Sequence, residues 1–269
     1  MTREYHVVSF SGGKDSTAML LKMTELGKPI DCILFCDTGL EFPAMYEHIK
    51  SVGERIGKNI TIVRSNESFE YMMFNKPINR RPDSSVMLKY GGTQKKGYGW
   101  PGPRLRWCTE RLKNEPRAKF IRGLRDKFEV IEYVGLAADE GYRLQRKCNQ
   151  QENHRHPLIE WGMTEQDCLN YCYEQGFTWG GLYEHFKRVS CWCCPLQSLD
   201  ELRQLYRHYP KLWQTLKAWD EKTWRTFKPG YSVQQLETRF ALEEEFRKVG
   251  KPVNNRAFYN ALKERLNER

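Results

Sequence analysis

The chain has 269 residues and a formal net charge of +10 at pH 7. That length suits one large domain, or an α/β domain with a smaller appendage, and needs no disulfide staples to bury a core. No run of 18 apolar residues and no apolar signal core follows Met1, so a membrane span and secretion are not expected, and a cytoplasmic location is.

Val7–Phe10 reads as a strand and Thr17–Leu26 as a helix. Between them lies Ser9-Phe10-Ser11-Gly12-Gly13-Lys14-Asp15-Ser16. A strand feeding a Gly-rich turn at a helix N-terminus makes an anion site, because glycines let N–H groups approach the anion and the helix dipole favours negative charge. The turn is not a Walker A loop: that pattern's first glycine falls on Val8, and Asp15 follows the lysine. A phosphate would repel Asp15 unless a cation such as Mg²⁺ stood between them. The turn therefore points to a metal–nucleotide held by its pyrophosphate.

Asp31–Cys36 reads as a second strand, Phe42–Ile56 as a helix with Met45, Ile49, Val52 and Ile56 on one face, and Ile60–Val63 as a third strand. This alternation predicts right-handed βαβ units and a parallel sheet. Residues 75 to 107 break the pattern. There Arg80, Arg81, Lys95, Lys96, Arg104 and Arg106 are interleaved with Tyr90, Tyr98 and Trp100. That mixture suits phosphate contact with stacking, and with the net charge it suggests a nucleic-acid partner; the plainer reading is a surface lid. Glu110–Leu124 reads as a helix despite Pro116, Glu129–Leu136 as a strand, and Thr164–Gln175 as a helix capped by Thr164. From Asp200 the pattern is helical: Leu202–Tyr209, Lys211–Phe227, Val233–Val249 and Asn254–Leu266. Trp213, Leu216, Trp219 and Trp224 read as packing residues. The expected fold class is α/β with a doubly wound, mostly parallel sheet in residues 1–197, followed by an all-α extension in residues 198–269.

Nine cysteines in a reducing compartment are not a disulfide framework. Cys191 and Cys194 form a C-x-x-C pair before Pro195, and Cys108 is the best remote partner. Soft thiolates at this spacing suit Zn²⁺ or an iron–sulfur cluster. Three thiolates would leave one metal position open. A fourth from Cys193 or Cys148 would close it, although Cys193 adjoins Cys194 and both on one cluster would strain the backbone. Cys168 and Cys172, four apart on one helix, read as packing thiols, Cys32 as core, and Cys36 as a strand-end residue.

Ser11-Gly12-Gly13-Lys14-Asp15-Ser16 resembles the PP-loop of the ATP pyrophosphatase superfamily, whose fold is adenine nucleotide alpha hydrolase-like. Asp37-Thr38-Gly39-Leu40-Glu41-Phe42-Pro43, Cys108-Thr109 with Leu112-Lys113, Gly135 with Glu140 and Arg143, and Pro157-Leu158 with Trp161 resemble its phosphoadenosine phosphosulfate (PAPS) reductase branch. Ala137 and Gly141 depart from the Arg and Ser of that pattern. The reductases also use a thiol on a C-terminal tail, and no cysteine follows Cys194 here, which weighs against reduction. Gly99–Pro103, Arg106-Trp107-Cys108-Thr109 and Cys191-Trp192-Cys193-Cys194-Pro195 resemble the DndC-type relatives, iron–sulfur enzymes that place sulfur on DNA; similar clusters serve tRNA-thiolating members.

The resemblance implies ATP held by Ser11, Gly12, Gly13, Lys14, Asp15 and Ser16, with Asp37, Thr38 and Gly135 beside it and Mg²⁺ on Asp15. It implies catalytic roles for Lys14, Asp15, Lys113 and Arg143, with Arg106 as a further phosphate contact. It implies a 4Fe–4S cluster on Cys108, Cys191 and Cys194, with Cys193 the weaker candidate and zinc the alternative metal. The expected activity is adenylating, pyrophosphate-releasing sulfur transfer to tRNA or DNA, with sulfur from a donor such as a cysteine desulfurase. The alternatives are reduction of PAPS or adenylyl sulfate, and a non-catalytic nucleotide-binding protein with structural zinc.

Overall fold

Five strands, β1 (Glu4–Ser9), β2 (Cys32–Asp37), β3 (Ile60–Arg64), β4 (Glu129–Val134) and β5 (His154–Arg155), form one sheet in the order β3-β2-β1-β4-β5. Every pairing in it is parallel, as the βαβ alternation requires. The computed structural model describes residues 3–90, 95–189 and 191–267, the side chains of residues 85, 86, 90 and 148 excepted. Tyr90 and Cys148, named above, thus lie outside the described side chains.

β1 is central: Val7 pairs with Cys32 of β2 on one side and with Glu132 of β4 on the other. The chain winds outward from β1 through β2 to β3, then returns to β4 on the opposite side of β1. The winding direction reverses there, so a crevice opens at the C-terminal ends of β1 and β4, where ligands of open α/β sheets bind.

Four helices flank the sheet: α1 (Lys14–Glu25), α2 (Pro43–Ile56), α3 (Glu115–Arg125) and α4 (Glu165–Glu174). Val7, Cys32, Leu34 and Val130 bury one sheet face against Ile121 of α3. A π-helical turn, Glu110–Asn114, leads into α3 and leaves Pro116 in its first turn, where a missing N–H costs nothing. Thr164 caps α4 as expected: its hydroxyl accepts the N–H of Asp167 at 3.2 Å, and Asp167 accepts the N–H of Thr164 at 2.9 Å. β5, only two residues long, has no alternating pattern to betray it.

Contacts divide the chain into two compact units. The first, Met1–Ser68 with Trp107–Cys191, holds the sheet; the second joins Phe69–Arg106 to Trp192–Arg269. The sequence places 69–106 in the sheet domain, whereas the structure groups this insertion with the C-terminal helices. Its central residue, Trp100, is fully buried, donates its indole N–H to Asp220 at 2.9 Å and packs on Phe227. Asp220 also accepts the N–H groups of Phe227 and Val233, so one carboxylate pins the insertion and the C-terminal segment together. The rest of this unit is α5 (Leu199–His208), α6 (Pro210–Lys222), α7 (Val233–Lys248) and α8 (Arg256–Asn267). Trp213, Leu216 and Trp219 are buried in it, as their spacing predicts. Among the described residues no helix is long and apolar enough to cross a membrane.

Candidate functional site

The turn between β1 and α1 is held from inside. Gly12 has φ 78°, and a Cβ there would lie 2.6 Å from the Met45 sulfur and 3.0 Å from Ile49. Its carbonyl accepts the indole N–H of Trp179 at 2.7 Å and the hydroxyl of Thr17 at 3.3 Å. Thr17 is also 3.0 Å from Nε2 of His48, which stacks on Trp179 and which burial pushes down to about 3, so the ring is neutral. Ser16 Oγ accepts the N–H of Ser11 at 3.1 Å and donates to the Gly13 carbonyl at 3.0 Å. The N–H of Lys14 donates to the Tyr183 hydroxyl at 2.8 Å. The first-turn N–H groups of Asp15 and Ser16 are ones a helix cannot satisfy internally, which makes them candidate donors to an anion.

Gly135, just past β4, closes the other side of the crevice. A Cβ on it would lie 3.0 Å from Ser16 Cα and 3.1 Å from Ser16 N, so a larger residue would press the two backbones apart. Two cavities adjoin here. One, about 340 Å³, has apolar walls from Phe10, Leu34, Phe35, Cys36 and Val134, with Arg117, Asn149 and His154 at its edge. The other, about 250 Å³, is polar, with Lys14, Asp15, Glu41, Glu140, Arg143, Glu165, Tyr183 and Arg188. Ser11, Ser16, Lys113 and Gly135 line both.

The polar chamber carries four cationic and four carboxylate side chains. Lys14 bonds Glu165 and lies 3.4 Å from Asp15; burial works against its charge, but these carboxylates outweigh that and hold the ammonium above its usual range. Burial pushes the Asp15 carboxyl up to about 6, with Lys14 pulling it down and Glu165 pushing it up. Its Oδ1 is buried and accepts no hydrogen bond, although the Lys14 ammonium lies 3.4 Å away as an ion pair. An oxygen with lone pairs to spare, in a chamber already balanced in charge, fits a divalent cation that would enter with a polyphosphate. Lys113 lies 3.6 Å from the buried Glu41; burial opposes its charge, while Cys191, Glu41 and Cys36 outweigh burial and hold it above its usual range. Arg143 bonds Glu140 at 2.5 Å.

Asp37 and Thr38, expected beside the nucleotide, are not among the residues lining these two chambers. Asp37 is buried, and its oxygens accept from Gly39 N–H at 2.8 Å, Tyr46 at 2.9 Å and Arg64 at 2.7–2.8 Å. Burial would raise this carboxyl, but those donors hold it below the usual range. Asp37 braces its loop through these donors. Thr38 donates toward Glu41 at 3.4 Å and so orients a residue that does line the site.

The cysteines of the expected cluster fall in both units. Cys191, in the first unit, lies 3.7 Å from the Thr38 hydroxyl and 3.8 Å from Glu41. Cys193 is buried and Cys194 half-buried, both in the second unit; Cys108 is half-buried in the first. Among the described residues, no three His, Cys, Asp or Glu side chains are grouped to hold a metal ion. Cys108 and Cys191 thus belong to the first unit, and Cys193 and Cys194 to the second. Cys168 and Cys172 are fully buried behind the turn, Cys172 reaching the Lys14 carbonyl at 3.6 Å, in keeping with packing. Arg106 is exposed in the second unit.

Glu165, Tyr183, Arg188, Asn149 and His154 join the site without a sequence signal. Glu165 follows a readable cap, Thr164, but nothing local aims it at Lys14. Tyr183 and Arg188 reach the chamber from more than 160 residues beyond the turn, where no local pattern marks them.

A doubly wound α/β unit with an anion-binding turn at its switch point is the class that fold and chambers define. Residues 5–197 match the phosphoadenosine phosphosulfate reductase domain, and the chain belongs to that family. It is 27% identical over 206 residues to adenosine 5'-phosphosulfate reductase 2 of Bacillus subtilis, covering 72% of this chain and 74% of that protein. Two uncharacterized proteins of Methanocaldococcus jannaschii are 28% and 24% identical, covering 77% and 76% of this chain. The matches span only 40% and 44% of those relatives' own length. A PAPS reductase from Candida auris, solved as a phosphate complex, is 15% identical with a TM-score of 0.41, covering 71% of this chain and 82% of that one. The U34-tRNA thiolase NcsA of Methanococcus maripaludis, solved with its 4Fe–4S cluster, is 14% identical with a TM-score of 0.37, covering 95% and 76%.

Proposed function

We propose that the first unit binds Mg²⁺–ATP and cleaves it between the α- and β-phosphates, activating an acceptor oxygen for replacement by sulfur. The observation that carries this reading is the pair of chambers meeting at Ser11, Ser16, Lys113 and Gly135. Adenosine matches the apolar chamber in size and lining, and the terminal phosphates match the polar one. The α-phosphorus then falls at the junction, beside Lys113.

The Asp15 and Ser16 N–H groups, Lys14, Arg143 and Arg188 would hold the β- and γ-phosphates. Mg²⁺ on Asp15 would neutralise the charge that these phosphates add. The acceptor oxygen attacks the α-phosphorus and pyrophosphate leaves. Lys113 offsets the charge growing on the α-phosphate oxygens. A sulfide-level donor then adds to the activated carbon, and AMP departs with the oxygen. The net charge of +10 supports a nucleic acid as the acceptor.

A second reading uses the same chambers for a sulfonucleotide, with the sulfo group at the junction. The match to the Bacillus subtilis reductase over most of both chains favours it. Supplying ATP or adenylyl sulfate separately decides between them. Pyrophosphate from ATP supports the first reading; AMP and sulfite from adenylyl sulfate plus a thiol reductant, with ATP untouched, supports the second.

A further inference from the structure

The two units divide the charge unevenly. The sheet unit carries 21 Lys and Arg against 22 Asp and Glu, whereas the second carries 23 against 12. The whole positive excess of the chain therefore lies outside the unit that holds the nucleotide chambers. Within the second unit the imbalance is sharpest in Phe69–Arg106, with eight Lys and Arg against Glu70 and Asp83 alone. Three acids elsewhere in that unit are engaged among the C-terminal helices: Glu243 with Arg203 and Arg239, Glu237 with Lys217, Glu245 with Arg265.

The insertion is shaped to keep its charges displayed. Arg80 donates to the carbonyls of Lys95 and Gly97, and its guanidinium sits 5.1 Å from the Trp224 ring. Lys95 approaches the same ring at 5.7 Å, and Trp224 donates its N–H to the Lys96 carbonyl at 3.2 Å. Gly99 permits this packing, since a Cβ there would lie 3.0 Å from the indole. Arg80 is thus a clamp, which revises its expected part in direct binding. Arg81, Lys96 and Arg104 are exposed, and so are Tyr71 at 40% and Leu88 at 78%. Cations interleaved with exposed apolar and aromatic side chains match a backbone of phosphates carrying unstacked bases.

We infer that the second unit is a docking surface for single-stranded nucleic acid, with Arg81, Lys96 and Arg104 of the insertion as phosphate contacts. This names where the acceptor of the proposed reaction is held; it rests on that reading for the purpose of docking, while binding is measured without turnover. The experiment is fluorescence anisotropy of the full chain with a labelled 20-nucleotide oligo-dT and oligo-U, each titrated with salt. The triple variant R81E/K96E/R104E should lose about tenfold or more in affinity, with a log–log salt slope shallower by roughly two. The control K248E/R256E/K263E removes the same charge from exposed sites on the C-terminal helices and should lose several-fold less. Equal losses in both triples, or an unchanged slope in the first, would overturn the inference. So would tighter binding to a 20-base-pair duplex, or displacement of the oligonucleotide by equimolar poly-glutamate. Wild-type far-UV circular dichroism and an unchanged thermal melt of the R81E/K96E/R104E protein show that it is folded; failure of ATP cleavage would leave this result standing.

Discussion

Glu165, the first residue of α4, holds the ammonium of Lys14, the cation of the glycine turn, from 151 residues away. A phosphate entering the polar chamber competes with Glu165 for that ammonium. E165Q keeps the shape and removes the competing charge. It should tighten ADP or ATP binding about threefold to tenfold by calorimetry. K14A should weaken the same binding by at least that factor.

Asp15 supplies a pH test. Its carboxyl sits at about 6 against an ordinary 3.8, so the folded chain holds that proton more tightly than the unfolded chain. The group's contribution to stability is full below pH 4 and is lost as pH rises through about 6. D15N should remove this loss. Its stability relative to wild type should rise by on the order of 2–3 kcal/mol between pH 4 and pH 7, read from urea titrations. His48, pushed down to about 3, works in the opposite sense but is common to both proteins and cancels. The same variant should lose at least about a hundredfold in pyrophosphate release, the carboxylate proposed to carry Mg²⁺ being gone.

Two glycines should respond in opposite directions. G135A forces a Cβ to 3.0 Å from Ser16 Cα, backbone that cannot swing aside. It should cost about 1–3 kcal/mol and raise the nucleotide KM. Gly123 lies in α3, where an added methyl would meet nothing within 4 Å. G123A should stabilise by about 0.5–1 kcal/mol and leave KM unchanged, as thermal melts and kinetics can show.

Lys113 and Tyr183 should separate chemistry from positioning. Lys113 stands at the junction of the chambers, so K113A should lower kcat about a hundredfold or more with a smaller change in KM. Tyr183 acts through the Lys14 N–H, 2.8 Å away. Y183F should instead raise KM several-fold, cost about 1–2 kcal/mol and leave most of kcat intact.

The parts of the site legible in the sequence are those built from neighbours along the chain. The glycines of the turn, the Thr164 cap and the strand–helix alternation each follow from short-range backbone physics. The role of Asp37 is not legible, because its partner Arg64 arrives from the next strand over and takes an oxygen that the local pattern leaves open. Residues 69–106 read as a loop because their organising contact, Trp100 with Asp220, closes across 120 residues. The thiol spacing around Cys191 predicts a ligand set, but the nearness of Cys191 to Thr38 and Glu41, about 150 residues earlier in the chain, has no signal in that spacing.

The most direct measurement is product analysis of ATP labelled at its α-phosphorus, incubated with the full chain, Mg²⁺, sulfide and total RNA or single-stranded DNA. Labelled AMP with an equal amount of pyrophosphate is the predicted result, because the proposed attack is on the α-phosphorus. Labelled ADP with free phosphate would put the cleavage at the far end of the polar chamber and contradict the account.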